Sequence, residues 1–153
     1  MTIEKELEYS KKLKKIGIEQ FSDKYLYMNC DFKYEIVTRA ELLECLEPFN
    51  EGEEYEFLIN YDGGEIFYSL FNSDELDKII PIKIETERLK IETERHYYCL
   101  IIEWESVESC RLNYNFYSEW GDILRVLPEM IYGESQKECK YKAVIELNER
   151  GLL

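Results

Sequence analysis

Residues Ile3 to Ile16 carry the pattern of an amphipathic helix, and no other segment leaves so little choice of secondary structure. Four apolar residues fall near one face: Ile3, Leu7, Leu13 and Ile16. Glutamates stand at the start of the segment, lysines fill its last turns and Gly17 follows, which is the charge order that the helix dipole favours. The chain therefore contains a helix that buries one apolar face.

The rest of the first half predicts strands around a second helix. Aromatic alternation predicts a strand within Lys24 to Val37. Thr38 and Glu41 have the spacing of a capping box, so a helix is expected from there to Glu47, before Pro48. The segment Tyr55–Phe71 predicts a hairpin, because runs of apolar and aromatic residues lie on both sides of an Asp-Gly-Gly turn. The two strands of this hairpin are expected to lie centrally in the sheet.

The second half predicts a short helical turn, a second hairpin, a helix and a closing strand. Ser73 is expected to cap the turn, which runs to Asp77. Tyr97–Trp104 is expected to pair with Leu112–Ser118, and helical spacing predicts a helix from Ser118 to Pro128. The last strand is expected near Tyr141–Leu147. These elements predict an α+β fold, mainly an antiparallel sheet of about five or six strands with about three helices in one layer packed on it.

Length favours one domain over residues 1–153, because a chain of 153 residues is of ordinary size for one core. No linker rich in Pro, Gly or Ser divides the chain. A tandem repeat covers Lys83–Leu89 and Lys90–His96, and its Ile-x-Thr alternation favours charged strand or loop over coiled coil. A duplicated recognition strip is the alternative interpretation of this repeat.

Cellular location follows from what the sequence lacks. No apolar run approaches the ~20 residues needed to cross a bilayer, and the N-terminus does not resemble a secretion signal. The five cysteines are odd in number and irregular in spacing, so we expect reduced thiols, mostly buried, in a cytoplasmic protein. His96 is the only histidine, which leaves little for zinc or triad chemistry.

Negative charge is concentrated in one stretch. Between Ala40 and Asp77 there are twelve acidic residues and no Lys or Arg, against a net charge of −14 for the whole chain. Such a block speeds encounter with a basic partner and discourages binding to nucleic acid or membrane. The candidate partner-binding residues are Glu41, Glu44, Glu47, Glu51, Glu53, Glu54, Tyr55, Asp62 and Glu65. The alternative is that these carboxylates only keep the protein soluble.

Aromatic residues offer a second, weaker indication of a partner surface. The chain has 13 tyrosines and two tryptophans, and Tyr and Trp are enriched at the centres of interfaces. Most of them suit the sheet and core, but Tyr55, Tyr61 and Tyr68 stand beside the acidic residues. We expect some of these three side chains at the partner surface.

No catalytic motif is present in the sequence. G-x-S-x-G, G-x-G-x-x-G and the P-loop pattern do not occur, and the pairs Glu85/Glu87 and Glu92/Glu94 are more typical of a solvated face than of a glycosidase. The Asp-Gly-Gly turn is too short for a calcium loop. The sequence therefore predicts no enzyme, no cofactor and no metal.

In size, acidity and lack of catalytic motifs, the chain resembles bacterial immunity proteins and antitoxins, and phage inhibitors of CRISPR or restriction enzymes. The resemblance implies an inhibitor that occludes the cationic site of a basic protein, such as a nuclease toxin or a nucleic-acid-binding enzyme. A structural or assembly module is the second hypothesis, and an enzyme or small-molecule sensor with a pocket hidden in the sequence is the third.

Overall fold

A computed structural model describes residues 1–46, 52–61, 64–81, 83–85, 97–104, 110–117, 123–126 and 131–153. The chain divides into two compact units. The N-terminal unit is Thr2–Asn72, and the C-terminal unit is Ser73–Leu153 with Met1. The expectation of one domain stays a prediction.

The first helix has the predicted position. Helix α1 spans Ile3–Lys15, and the hydroxyl of Thr2 accepts a hydrogen bond from the amide of Lys5 at its start. Its buried residues are Tyr9, Ser10 and Leu13. Gly17 has φ +87°, a left-handed conformation that glycine adopts without steric cost and that commonly ends helices.

The N-terminal unit contains a three-stranded antiparallel sheet. Strands β1 (Lys24–Met28) and β2 (Tyr34–Thr38) form a hairpin, so the segment expected to contain one strand contains two. Strand β3 (Phe67–Ser69) pairs with the other edge of β1 and gives the order β2-β1-β3. The middle strand β1 buries Tyr25 and Leu26 completely.

Two short helices cover one face of this sheet. Helix α2 spans Arg39–Cys45 and helix α3 spans Glu54–Asn60. Their residues Leu42 and Leu58 form one buried cluster with Tyr25 and Phe67. In the register of β1 and β3, Tyr25 and Phe67 share a face because strand side chains alternate, so α2 and α3 pack on that face.

Helix α1 contacts the opposite face. Strand β3 contacts α1, and Nζ of Lys11 lies 5.5 Å from the ring centroid of Tyr34 and 5.6 Å from that of Tyr68. Both rings project away from the Tyr25 face. The N-terminal unit therefore has three layers, with α1 on one side of the sheet and α2 and α3 on the other.

The predicted hairpin over Tyr55–Phe71 is wrong. Its first strand is helix α3, and its second contains β3, which pairs with β1. Phe57, Leu58 and Tyr61 all pack into the core cluster, a spacing that places them on one side of a helix, whereas adjacent residues of a strand point to opposite faces. Glutamates at positions 54 and 56 also suit the first turn of a helix.

A five-stranded antiparallel sheet belongs to the C-terminal unit. Its strands are β4 (Lys83–Glu85), β5 (Tyr97–Trp104), β6 (Cys110–Tyr117), β7 (Ile123–Val126) and β8 (Ile131–Gly133). The order is β4-β5-β6-β7, and β8 also pairs with β6. The second predicted hairpin is confirmed as β5 and β6, paired from Tyr97↔Tyr117 to Trp104↔Cys110.

Two predictions for this unit are wrong. The helix expected from Ser118 contains strand β7, which pairs with β6, and short apolar runs are ambiguous between the two periods. The strand expected near Tyr141–Leu147 lies inside helix α5, Gln136–Glu149. Buried residues at 140, 143, 144 and 147 follow helical spacing, and Ser135 caps the helix by accepting from the amide of Glu138.

The short helical turn expected at Ser73 is confirmed, but it ends at Ile79 instead of Asp77. Helix α4 spans Ser73–Ile79, and the hydroxyl of Ser73 accepts a hydrogen bond from Nζ of Lys140 at 2.8 Å. Helices α4 and α5 contact each other. A buried ammonium between them ties the two helices of this unit together.

The α+β class is confirmed, while the expected numbers of elements and the single sheet are wrong. The described residues form five helices and eight strands. The strands are divided between a three-stranded and a five-stranded sheet. None of the described helices is long and apolar enough to span a membrane. Cys30 and Cys45 are exposed free thiols, and Cys139 is buried. The expectation of buried thiols is therefore wrong for Cys30 and Cys45.

Candidate partner-binding surface

Six of the nine candidate residues lie in the described part of the N-terminal unit. They are Glu41 and Glu44 on α2, Glu53, Glu54 and Tyr55 at or in the start of α3, and Glu65 before β3. The other three, Glu47, Glu51 and Asp62, lie outside the described residues, as does His96. The predicted surface thus rests on α2, α3 and the segment that leads into β3.

Helix α2 carries two exposed carboxylates with different surroundings. Oε2 of Glu41 accepts hydrogen bonds from the amide of Thr38 at 2.7 Å and from its hydroxyl at 2.8 Å. These bonds, the backbone one first, lower the pKa of Glu41 below its usual 4.5. Glu44 is exposed and forms no ion pair with a described residue. Glu41 therefore stabilises the helix start, whereas Glu44 is available to a partner.

Acidic residues also gather at the start of α3. Glu53 occupies the N-cap position and is exposed, and Glu54 accepts a hydrogen bond from the amide of Gly52 at 3.3 Å. Glu56 is exposed and makes no ion pair within the described residues. Negative side chains are favourable near a helix N-terminus. The start of α3 therefore stabilises the three neighbouring carboxylates of Glu53, Glu54 and Glu56.

Tyr55 connects α3 to the segment that follows α1. Its hydroxyl donates to Oε2 of Glu19 at 2.6 Å, and this bond raises the pKa of Tyr55 above 10.0. Its ring meets Phe21 edge-on at 4.8 Å, and the guanidinium of Arg39 lies 4.1 Å from the Phe21 centroid. Tyr55 remains 43% exposed, so a packed ring with an open edge stands beside the α3 carboxylates.

The other two tyrosines named from the sequence are less accessible. Tyr68 is 5% exposed, and Tyr61 is half-buried against Phe57 and Phe67. Burial, followed by the nearby Tyr34 and Glu65, raises the pKa of Tyr68 to about 12. Tyr68 therefore belongs to the interior and Tyr55 is the aromatic residue that faces solvent here.

Charge is segregated between the two sides of the N-terminal sheet. The acidic helices α2 and α3 cover one face, while the lysines of α1 at positions 11, 12, 14 and 15 belong to the helix on the other. Arg39 is the first residue of α2, and it pairs with Asp23 at 2.7 Å. Helix α1 also carries Glu4, Glu6 and Glu8, so the side covered by α2 and α3 is the more acidic of the two.

Phe32 is an exposed residue within the segment predicted to contain a strand. It lies at the tip of the β1–β2 hairpin, 83% exposed, with φ +60°. Oδ1 of Asn29 holds the turn by accepting from the amides of Asp31 and Lys33 at 3.0 and 3.1 Å. A left-handed conformation costs a non-glycine residue about 1–3 kcal/mol. The backbone at Phe32 is therefore strained, while its phenyl ring is exposed to water.

Nothing in the described geometry indicates a metal centre. Within those residues, no three His, Cys, Asp or Glu side chains gather closely enough to hold an ion. The buried carboxylate of Glu138 accepts a hydrogen bond from the amide of Glu134 and pairs with Lys142 at 3.1 Å, so it stabilises the start of α5.

No known protein family, no curated protein and no solved structure matches the chain.

Proposed function

We propose that the protein is an acidic inhibitor that neutralises a basic partner by occluding its cationic site. A toxin, a nuclease or a defence enzyme such as a CRISPR effector is the intended target. The observation that carries this proposal is the stretch from Ala40 to Asp77, which has no Lys or Arg. Within it, Glu44, Glu56 and Glu65 are exposed and pair with no described cation.

Unpaired carboxylates suit this role better than paired ones. Glu8 and Glu146 already hold Lys12 at 2.7 Å and Arg150 at 2.6 Å, so a partner would first have to break those pairs. Charge-assisted hydrogen bonds from Arg or Lys of the target to Glu44, Glu56 and Glu65 meet no such competition. The same charges attract the partner over a distance of about a Debye length, ~8–10 Å at physiological salt.

Aromatic contacts add affinity that charge alone does not supply. Tyr55 is held by Phe21 and Glu19, so little of its side-chain freedom is lost when a partner covers it. The Asn29 turn fixes the backbone around Phe32 and leaves its ring exposed to a partner. Ordered aromatic anchors typically carry much of the energy of an interface. We therefore assign them as the hydrophobic contacts of the inhibitor.

The experiment is affinity capture of the tagged protein from lysates of its source cells, uninfected and phage-infected, at low and physiological salt. We expect a basic protein in near-stoichiometric amount, lost as salt rises. Glu41 is left intact because its carboxylate caps α2. A variant with Glu44, Glu56 and Glu65 all replaced by Lys should lose the captured protein.

A charge-matched control separates location from net charge. It replaces the exposed residues Glu4, Glu35 and Glu149 by Lys. These residues lie outside the stretch from Ala40 to Asp77 and outside the Asn29 turn, and their replacement changes the net charge equally. The proposal is supported if the control variant captures the basic protein and the variant with Glu44, Glu56 and Glu65 replaced by Lys does not. Equal capture by both, or no specific protein with the unmodified chain, contradicts it.

A further inference from the structure

The two outer edges of the N-terminal sheet, whose strand order is β2-β1-β3, differ in their cover. On β3, the carbonyl of Phe67 accepts a hydrogen bond from Nζ of Lys14 at 3.2 Å, and the amide of Ser69 donates to Oε1 of Gln20 at 2.9 Å. Both backbone groups point away from β1, since the residues between and beside them bond to β1. Side chains therefore close the edge of β3 against pairing with another chain.

On β2, two residues turn unpaired backbone groups outward. Lys33, just before β2, turns its carbonyl to the amide of Asn29 at 2.9 Å. Because alternate residues of an antiparallel strand face the same neighbour, positions 35 and 37 also face β1, whereas Tyr34 and Ile36 face away from it. No described residue hydrogen-bonds to the backbone N–H or C=O of Tyr34 or Ile36. The edge of β2 is therefore open among the described residues.

This open edge is regular. The strand reads Tyr-Glu-Ile-Val-Thr, without Lys or Pro, and its pairing with β1 runs without a bulge from Lys24↔Thr38 to Met28↔Tyr34. Lysine, proline and bulges are common devices that prevent pairing at an edge. Ile36 is 46% exposed, so an apolar side chain lies beside the unpaired backbone groups. An extended peptide can add to an edge of this kind as a further strand.

The two faces of β2 differ in charge. Ile36 lies opposite Leu26 of β1, and Tyr34 and Ile36 share the face that α1 contacts. Nζ of Lys11 is 5.5 Å from the Tyr34 ring on this face, which disfavours a positive side chain there. Glu35 points to the other face, is exposed and forms no ion pair with a described residue. An added strand therefore needs apolar residues on the α1 face and a positive residue opposite Glu35.

Charge also disfavours a second copy of this chain as the occupant. If two β2 strands pair through Tyr34 and Ile36, the two Glu35 side chains lie directly opposite each other, and like charges in that position are destabilising. A register that places Ile36 opposite itself needs the amide of Thr38, which already donates to Oε2 of Glu41 at 2.7 Å. A segment with a basic residue between two apolar ones meets neither obstacle.

We propose that the edge of β2 binds an extended peptide segment of another protein as an antiparallel fourth strand. Apolar residues of the segment lie opposite Ile36 and Tyr34, and an arginine or lysine between them lies opposite Glu35. Lys33, which is exposed just before β2, favours an acidic residue at the next position. Backbone hydrogen bonds provide affinity and the alternating side chains provide specificity. The site uses none of the carboxylates assigned to the inhibitor.

The test is a titration of the full-length protein with the peptide acetyl-Thr-Val-Arg-Val-Glu-Thr-amide, followed by NMR and amide hydrogen exchange. The valines are placed to lie opposite Ile36 and Tyr34. We expect saturable shifts of the amide signals of residues 33–37. Exchange of the Tyr34 and Ile36 amides should slow at least about tenfold, because hydrogen-bonded amides exchange only when the bond opens. The amides at positions 35 and 37, which already face β1, are the internal reference.

Three modified peptides separate backbone pairing from charge. N-methylation of both valines removes the donors that face β2 and should weaken binding at least about tenfold. N-methylation of the arginine is the matched control, because its N–H points away from β2, and this peptide should bind like the unmodified one. The isomer acetyl-Thr-Val-Glu-Val-Arg-Thr-amide has the same composition with its charges exchanged. It should bind at least about fivefold more weakly.

Variants of the protein test the role of Glu35. Glu35→Lys should reverse the preference between the two isomers, since the charge opposite the central residue changes sign. Glu149→Lys, an exposed change in the C-terminal unit, should leave the preference as it is. The variant with Glu44, Glu56 and Glu65 replaced by Lys should keep the peptide and lose the captured protein. The charge-matched control, which contains Glu35→Lys, should show the opposite behaviour.

Four results would overturn the proposal. One is the absence of saturable shifts up to the solubility limit of the peptide. The second is equal binding of the peptide methylated at both valines, which would exclude backbone pairing. The third is an unchanged isomer preference in Glu35→Lys. The fourth is protection of the Tyr34 and Ile36 amides that grows with protein concentration in the absence of peptide, which would assign the edge to a second copy. Failure of affinity capture would leave the peptide results intact, so the two proposals fail separately.

Discussion

Nζ of Lys140 lies 2.6 Å from Oδ1 of Asp77, and the Lys140 side chain is 2% exposed while that of Asp77 is 47% exposed. The ammonium also donates to the hydroxyl and the carbonyl of Ser73. A buried ammonium needs an opposite charge because its desolvation is costly. This pair therefore holds α5 to α4 inside the C-terminal unit.

Replacement of Asp77 by Asn should lower the free energy of unfolding by about 1–3 kcal/mol. Loss of a fully buried partner costs about 3–5 kcal/mol, and the exposure of Asp77 reduces that value because water reaches it. Urea denaturation measures the change. Lys78→Gln, exposed on the same helix, should stay within about 0.5 kcal/mol of the unmodified protein. Equal stability of the two variants would show that the pair is not structural.

Leu58 tests the helical assignment of α3. It is 1% exposed and belongs to the core cluster, so Leu58→Ala should cost about 2–5 kcal/mol through the cavity it leaves. Glu56→Ala, exposed in the same helix, should change stability by less than about 0.5 kcal/mol. Thermal unfolding followed by circular dichroism compares them. A similar loss in both variants would argue against this packing of α3.

Gly133 should not tolerate a side chain. A Cβ built there would lie 2.8 Å from the amide nitrogen of Cys139 and 3.1 Å from its Sγ. Gly133→Ala should therefore destabilise the protein by about 1–3 kcal/mol, the usual cost of overpacking. Because the closest atom is backbone, adding Cys139→Ala should not restore the melting temperature. Full restoration by the double variant would mean that the sulfur alone causes the clash.

The capping carboxylate of Glu41 should show a pH-dependent effect. Its pKa is lowered from 4.5 by hydrogen bonds from Thr38. A lowered pKa stabilises the folded state above the unfolded value of 4.5, and this stabilisation is lost as the pH falls through the folded pKa. NMR titration should give a pKa below 4.5 for Glu41, and Thr38→Ala should raise it part of the way. An unshifted pKa would contradict the observed cap.

Tyr68 should titrate late in alkali. Its pKa is raised to about 12, so the neutral phenol stabilises the fold below the unfolded value near 10 and this contribution is lost between pH 10 and 12. The ultraviolet absorbance of the phenolate should therefore show one tyrosine that ionises near pH 12, absent in Tyr68→Phe. Glu65→Gln should lower this pKa, since the Glu65 charge helps to raise it. No change in that variant would argue against their proximity.

Local signals in the sequence determined several elements. The charge order and Gly17 located α1, the Thr38–Glu41 pair located the start of α2, and two long runs rich in apolar and aromatic residues located β5 and β6. These signals succeed because they act between residues within a few positions of each other. The capping signal Ser135–Glu138 is of the same kind and marks the start of α5, although the alternating run after it favours a strand.

The acidic stretch was also visible in the sequence, but its geometry was not. Sequence alone could not separate the capping carboxylate of Glu41 from the unpaired one of Glu44, because the difference lies in hydrogen bonds. A cavity lined by Lys14, Glu19 and Leu58 could not be predicted for a different reason. Leu58 is distant from the other two residues in the chain, and only packing brings it beside them.

Tertiary structure alone decided between helix and strand where the local pattern allowed both. Residues 54–60 and 141–147 are apolar enough for either, and they are helical because Leu58, Val144 and Leu147 are buried at helical spacing. Strand β3 pairs with β1 rather than with residues 55–61, and the described strands form two sheets instead of the one expected. The sequence determined where apolar and charged groups occur, and the burial of those groups against distant residues decided which secondary structure they adopt.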